Sequence, residues 1–449
     1  MSGPPTESSP LTNLPSVVAS KILSYVPWQE KKAVGQVITS WTEALRSTEA
    51  WRSVKYGPEI EENVYFARAS RADFLTCVKQ YGHFMRSIHL CFGYSITHTS
   101  MEPTGEQILM YVHKRCCNLT AISIEQEVPE GSHNALPFGW PSSVGNLIKD
   151  IAVDCKSLQS LALCQPIVVW DEESENILLL LTKSCSVSKI TELELTYLSL
   201  LNQEGKLHLL KNFTSLQKLT VRREKVNKEI LLHLVKHSLK ELVLYQEEEL
   251  PFEEQEDLGE DFWLEVKKVC PQFKVDLILR CIMILKILFP SSMPVRNLIL
   301  DFLVNVMTKG IMDHIADCYR DTLKRFTYTN SFLEEQEMGD ARVPASLISL
   351  TQKCPHLETL EYGFPLSSSA ILLIAQSRKL KNFVVPSVEV SYSNDIPVDN
   401  STPKAAEYFN LLKIIGSSRR NLEKTVSHIL EQQWTLHDGP LKVNERIKF

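Results

Sequence analysis

Apolar residues along this chain fall into two textures that change near Gly57-Pro58. From Leu11 to Tyr56 they recur at three- and four-residue steps, the period of a helix buried on one face. Ser16 stands where it can cap a first helix that carries Val18, Ile22 and Leu23 on one side. Pro27 ends that helix, because proline lacks the amide and clashes with the preceding turn. A second helical stretch is expected from about Glu30 to Arg46, aligning Val34, Val37, Ile38, Trp41 and Leu45. Trp51 follows a short turn. So short a segment cannot bury Trp41 and Trp51 alone; it needs a neighbour, either the rest of the chain or a partner.

After Pro58 a repeated unit appears: an apolar residue, two others, an apolar residue, one other, and a third apolar residue. It reads Met85-Ile88-Leu90, Leu119-Ile122-Ile124, Leu158-Leu161-Leu163, Ile190-Leu193-Leu195 and Leu216-Leu219-Val221. It continues as Leu239-Leu242-Leu244, Val295-Leu298-Leu300, Leu323-Phe326-Tyr328, Leu357-Leu360-Tyr362 and Leu380-Phe383-Val385. The last two positions alternate with polar ones, which is strand periodicity, and helical stretches such as Ala72 to Tyr81, Lys228 to Lys236 and Ala370 to Ala375 lie between. One strand and one helix per unit is the leucine-rich-repeat pattern, in which stacking completes a core that no unit closes alone. A cysteine precedes the first anchor by three residues at Cys116, Cys155, Cys270 and Cys354, where a small, nearly apolar thiol can sit under the helix-to-strand turn. The unit at Phe273 is irregular, since Asp276 falls where the second apolar residue belongs.

The N-terminal residues resemble an F-box. The match runs through Leu14-Pro15, Ile22 to Pro27, Val37 to Trp41 and Trp51, with Ile38 where the family often has cysteine. The repeats are similar to those of F-box leucine-rich-repeat and F-box-only proteins. The resemblance implies a substrate-recognition subunit of an SCF-type ubiquitin ligase. It would hold Skp1, and through it a cullin-RING core, and bring a protein target for ubiquitination and proteasomal degradation. It also implies a non-catalytic chain, not an enzyme. The implied Skp1-binding residues are Leu14, Pro15, Ile22, Leu23, Val26, Pro27, Val34, Val37, Trp41 and Trp51. A repeat scaffold or inhibitor that binds without promoting degradation is the alternative.

The expected fold class is therefore α/β: a small helical F-box followed by an irregular leucine-rich-repeat solenoid, parallel strands on its concave face and helices outside. The expected divisions are a flexible tail 1–10, the F-box 11–57, degenerate repeats 58–389 with an acidic insertion 247–261, and a C-terminal loop with capping helices 390–449. The insertion carries nine carboxylates and neither Lys nor Arg. It reads as a solvated loop, with contact to a basic substrate segment as the sharper alternative.

Composition narrows the chemistry. A net charge of -6 gives no indication of a nucleic-acid partner. Eleven scattered cysteines read as free thiols of a reducing compartment, cytoplasmic or nuclear. No signal peptide or membrane span is expected: Val275 to Phe289 is short and contains Arg280 and Lys286. There is no Cys-x-x-Cys pair and no Gly-rich phosphate loop, so no metal site and no cofactor is expected. His89 and Cys91 share a strand face and read as a solvent-facing pair rather than a catalytic one. The candidate substrate face is formed by strand-flanking residues of the middle repeats, Glu192, Glu194, Lys218, Arg222, Glu241 and Tyr245, with Arg222 and Tyr245 as anchors. A structural charge ladder is the plainer reading of the same residues.

Overall fold

The computed structural model describes residues 14–38, 41–57, 60–61, 64–65, 71–92, 103–126, 139–140, 142–164, 168–169, 177–183, 187–195, 207–223, 227–246, 258–280, 289–301, 307–329, 343–392, 407, 410–412, 414–439 and 441. The tail 1–10, most of the acidic insertion and most of the loop from Ser391 to Pro403 lie outside the described residues.

The chain divides into two compact units, residues 1–221 with 237–239, and residues 222–236 with 240–449. In the first unit helices α1 (Ser16–Tyr25) and α2 (Trp28–Val37) precede strand β1 (Ser53–Tyr56). There follow α3 (Arg71–Tyr81), β2 (Ser87–Phe92), α4 (Pro103–Arg115), β3 (Ala121–Gln126), α5 (Ser142–Asp154), β4 (Ser160–Cys164), α6 (Ile177–Lys183), β5 (Glu192–Leu195) and β6 (Lys218–Arg222). The second unit holds α7 (Lys228–His237), β7 (Glu241–Gln246), α8 (Glu260–Val269), β8 (Lys274–Arg280), β9 (Val295–Asp301), α9 (Lys309–Cys318) and β10 (Arg325–Thr329). It ends with α10 (Val343–Lys353), β11 (Thr359–Tyr362), α11 (Ser368–Ser377), β12 (Asn382–Val384) and α12 (Arg419–Leu430).

Within each unit the strands pair in chain order, every one parallel to the next. Parallel pairing needs a crossover, and where a described helix lies between two strands, as α3 to α6, α9, α10 and α11 do, it supplies it. Helices pack side by side as α3 to α6 in the first unit and α9 to α12 in the second. Every residue of the ten apolar triplets is buried, so the strand positions read from the pattern form the layer between sheet and helices.

The same turn recurs where a helix hands over to a strand. The amide of Cys116 donates to Val112 O at 2.8 Å, and the carbonyl of Cys116 accepts from Leu119 N at 3.4 Å. Cys155, Cys270 and Cys354 repeat this pair of bonds with Ile151 and Leu158, Val266 and Phe273, and Leu350 and Leu357. Cys116, Cys155 and Cys354 are buried, and Cys270 is half-buried. The strand at Phe273 is kinked as its Asp276 suggests: pairing slips between Val275 and Asp276, so that Val275 faces Val295 and Asp276 faces Asn297. Arg296 is the residue skipped, and a bulge re-aims its side chain. It bonds Asp276 at 2.6 Å and Glu241 at 3.1 Å.

The expected fold class, a small helical F-box followed by an irregular leucine-rich-repeat solenoid, is corrected. The structure is α/β, with twelve parallel strands alternating with helices, and that two-part plan is not shown. Two physical reasons are visible. Ser53–Tyr56 belongs to the segment read as helical box, yet it is a sheet strand paired along its length with Ser87–Leu90. In the second unit the face expected to be open is closed: Asp276, Asn297, Asp301, Thr327 and Thr329 are all buried on it. The helix bounds shift too. Pro15, not Ser16, stands at the N-cap of α1, and α2 starts at Trp28, behind Pro27, and ends at Val37.

Candidate functional site

The N-terminal segment spends its tryptophans inward. Trp51 is buried, donates from Nε1 to Leu45 O at 2.6 Å, and stacks on Tyr81 of α3 at 4.2 Å between ring centroids. Trp28 meets Phe74 edge-on at 5.2 Å, and Tyr56 lies 4.5 Å from the same ring. The neighbour required by this segment is thus α3 of the same chain. Beneath Trp51 lies Lys31, which is buried and donates from Nζ to Ala50 O. Burial pushes its ammonium down to about 8.

The ten residues implied for adaptor binding therefore separate. Leu23, Trp41 and Trp51 are core. Leu14, Val26 and Val34 are half-buried, and Pro15, Ile22 and Pro27 are exposed. The side chain of Val37 lies outside the described set. What sequence reasoning passed over are Val17 and Tyr25, each 77% exposed, which continue the apolar stripe of Val18 and Ile22. Positions 18, 22 and 25 are four and three residues apart, and 17, 21 and 25 are four and four apart, so these side chains adjoin on one helix surface. Lys21 spans the stripe, its Nζ 5.4 Å from the Tyr25 ring and 3.2 Å from Glu49.

The candidate substrate face also divides. Glu192 opposes Lys218, and Glu194 opposes Thr220, in the first unit. Arg222, Glu241 and Tyr245 belong to the second. Tyr245 is only 8% exposed and its hydroxyl accepts from Arg280 at 3.1 Å, so it anchors the interior rather than a ligand. Arg280 also reaches buried Asp301 at 3.4 Å. For Glu241, burial opposes the charge, but bonds from Arg296 and Lys274 hold the carboxyl below its usual range. These charges satisfy one another, as a buried network must.

His89 and Cys91 do share one face of β2. His89, however, is buried, and its Nε2 lies 3.5 Å from Glu125 on β3. The solvent-facing reading of this pair is corrected for His89. Among the described residues no group of three His, Cys, Asp or Glu side chains could hold a metal ion. Among them, too, no helix is long and apolar enough to cross a membrane.

No family model matches the chain, and no curated protein matches it. Among solved structures it is similar to a sugar phosphate isomerase/epimerase from Parabacteroides distasonis ATCC 8503, at 11% identity and a TM-score of 0.20, covering 46% of this chain and 81% of that one. With an enzyme among the structures it is similar to, the expectation of a non-catalytic chain is withdrawn. At this TM-score the likeness assigns neither a fold nor an activity, and the name belongs to that protein.

Proposed function

We propose that this chain recruits a protein target to an SCF-type ubiquitin ligase and holds the adaptor Skp1 through helix α1. The ordered match of Leu14-Pro15, Ile22 to Pro27, Trp41 and Trp51 to the F-box motivates the partner. The observation that carries the reading is the apolar stripe of Val17, Val18, Ile22 and Tyr25, which stands exposed among the described residues. Four adjoining apolar side chains on a ten-residue helix are costly in water and suit helix-in-groove docking. The buried tryptophans then shape the helix and its approach rather than contact the adaptor.

The test is capture of purified Skp1 by the full chain and by a Val17→Asp, Tyr25→Asp variant. Both side chains are mostly in solvent, so the variant should melt like the parent. Each lost apolar contact at a buried interface is worth about 1–3 kcal/mol, so affinity should fall at least tenfold. Undiminished capture by a folded variant would remove α1 from the interface and, with it, the support for this reading.

A further inference from the structure

The turns that lead into strands β1 to β5, residues 49–52, 82–86, 113–120, 153–159 and 187–191, form one edge of the first unit. Each passes an amide to the carbonyl of the turn before it. Arg86 N donates to Arg52 O at 3.3 Å, Thr120 N to Arg86 O, Gln159 N to Thr120 O and Thr191 N to Gln159 O at 2.8 Å each. The turns therefore lie side by side in strand order. Strands lie ~4.8 Å apart, so the four steps from β1 to β5 make an edge ~19 Å long. Along it stand Arg52, Arg86, Lys114, Arg115, Lys156 and Lys189, in a chain whose net charge is -6. The acids of the same turns are Glu49 and Asp154. Both are already paired, Glu49 with Lys21 at 3.2 Å and Asp154 with His113 at 2.7 Å.

These cations are in solvent and short of counter-charge. Arg52, Lys114, Arg115, Lys156 and Lys189 are exposed, and Arg86 is half-buried. Among the described residues the side chains of Arg52, Lys114, Arg115 and Lys156 make no ion pair and no hydrogen bond. Arg86 Nη1 reaches Asn118 O at 3.2 Å, and Lys189 Nζ reaches Lys156 O at 3.1 Å. Each leans along the edge on a neutral carbonyl and keeps further N–H donors. The dipole of α4 favours Lys114 and Arg115 in its last turn. It does not account for Arg52, Arg86, Lys156 and Lys189, which lie past the ends of the α-helices. Like charges on neighbouring strands repel, so packing does not call for this run of one sign.

We infer that this edge, from Arg52 to Lys189, is a docking strip for an acidic peptide segment, an extended run of aspartate or glutamate side chains. An extended chain advances ~3.3 Å per residue, so ~19 Å takes about six residues. Their carboxylates accept from guanidinium and ammonium N–H groups, the charge-assisted bonds that such side chains favour. Each exposed pair contributes little, and the strip works by engaging several at once. A single-stranded nucleic acid fits less well, because bases need open aromatic faces to stack on. The aromatic side chains of these turns are Trp51, which is buried, and Phe84, half-buried with its ring 3.9 Å from that of His83. That the acidic segment belongs to a protein target rests on the recruiting function proposed above; the preference for carboxylates does not.

The test is fluorescence anisotropy of labelled hexaglutamate with the full chain, against labelled hexaglutamine and a labelled six-nucleotide thymidine strand. Saturable binding of hexaglutamate is expected, weakening as salt rises from about 50 to about 200 mM, with hexaglutamine at least tenfold weaker. Lys114→Gln, Arg115→Gln, Lys156→Gln together change solvated side chains, so the variant should melt like the parent and bind hexaglutamate about tenfold more weakly. Lys156→Gln alone should weaken it about twofold. Lys236→Gln, Lys267→Gln, Lys268→Gln, the same change of net charge in the second unit, should leave binding as in the parent. Hexaglutamine binding as well as hexaglutamate, rim variants that keep the parent's affinity, or an equal loss in the second-unit variant overturns the strip. Tighter binding of the thymidine strand overturns the choice of a peptide. Skp1 capture by the rim variants is expected to be unchanged. Failure of capture by the parent chain would count against the recruiting function alone.

Discussion

Lys31 shows how one side chain can tie a small segment together at a cost. It is 1% exposed, with Nζ 5.1 Å from the centroid of the Trp51 ring and bonded to the carbonyl of Ala50. A buried ammonium loses hydration that one carbonyl and one ring face only partly replace. Its titration near 8, against 10.5 for an ordinary lysine, has a definite consequence for stability. Below about 8 both folded and unfolded chains are charged and the penalty is present in full. Between about 8 and 10.5 the unfolded chain holds the extra proton, so this residue makes stability rise with pH. Urea midpoints of parent and Lys31→Met across that window check it. The parent should gain relative to the variant as pH rises, and a constant difference would show that Lys31 keeps its charge when folded. Nothing in the sequence marks Lys31 as interior, because lysine is ordinarily solvated and the groups that surround it, Ala50 and Trp51 among them, lie some twenty positions on. The tryptophans themselves were legible as residues needing a neighbour, and the pattern left open which neighbour.

At the scale of the element, the repeated turn is the most legible part of the fold. A thiol three residues before a strand anchor was visible as a periodic mark, and the structure gives it a location under each turn. The space there is small: a Cβ built on Gly82 would lie 3.0 Å from Cys116 Sγ. Burial raises the Cys116 thiol far above its usual range, so it serves as packing and not as a nucleophile. Cys116→Leu should therefore cost about 1–3 kcal/mol through overpacking, whereas the adjacent Cys117→Leu, on the exposed side, should stay within about 0.5 kcal/mol. Denaturant titration of the two variants checks the contrast, and equal effects would argue that the turn can expand. Two strands escaped the pattern for different reasons. In β8 the alternation is broken by Asp276, whose charge is matched by Arg296 from a later strand, a pairing that local periodicity cannot register. In β1 the short run Ser53–Tyr56 sits inside a stretch whose helical texture dominates any window long enough to read.

At the scale of the molecule, the N-terminal segment is built into the first unit. Strand β1 covers one side of β2, while Trp51, Trp28 and Tyr56 cover Tyr81 and Phe74 of α3. Gly57 ends this contact with φ +148°, and a Cβ there would come within 2.5 Å of Cys91 Cβ, so only glycine lets the strand leave so close to its neighbour. The face that gathers His89, Glu125 and Glu194 was not legible in the sequence, since these residues lie on three strands and share a face only through register. A chain beginning at residue 57 should consequently do more than lose an adaptor site. It would strip aromatic contacts worth about 0.5–1.5 kcal/mol each beyond their buried area, and about 1.5–3 kcal/mol for each large side chain returned to water. It would also bare the edge of β2, a template for association with other chains. The expected outcome is a lower urea midpoint and early elution on size exclusion, in contrast to Val17→Asp, Tyr25→Asp, which should keep the parent's midpoint while losing Skp1. If the truncated chain keeps both the parent's midpoint and its elution volume, the segment folds as an independent domain after all, and the contacts of Trp51 with Tyr81 hold no more than a flexible attachment.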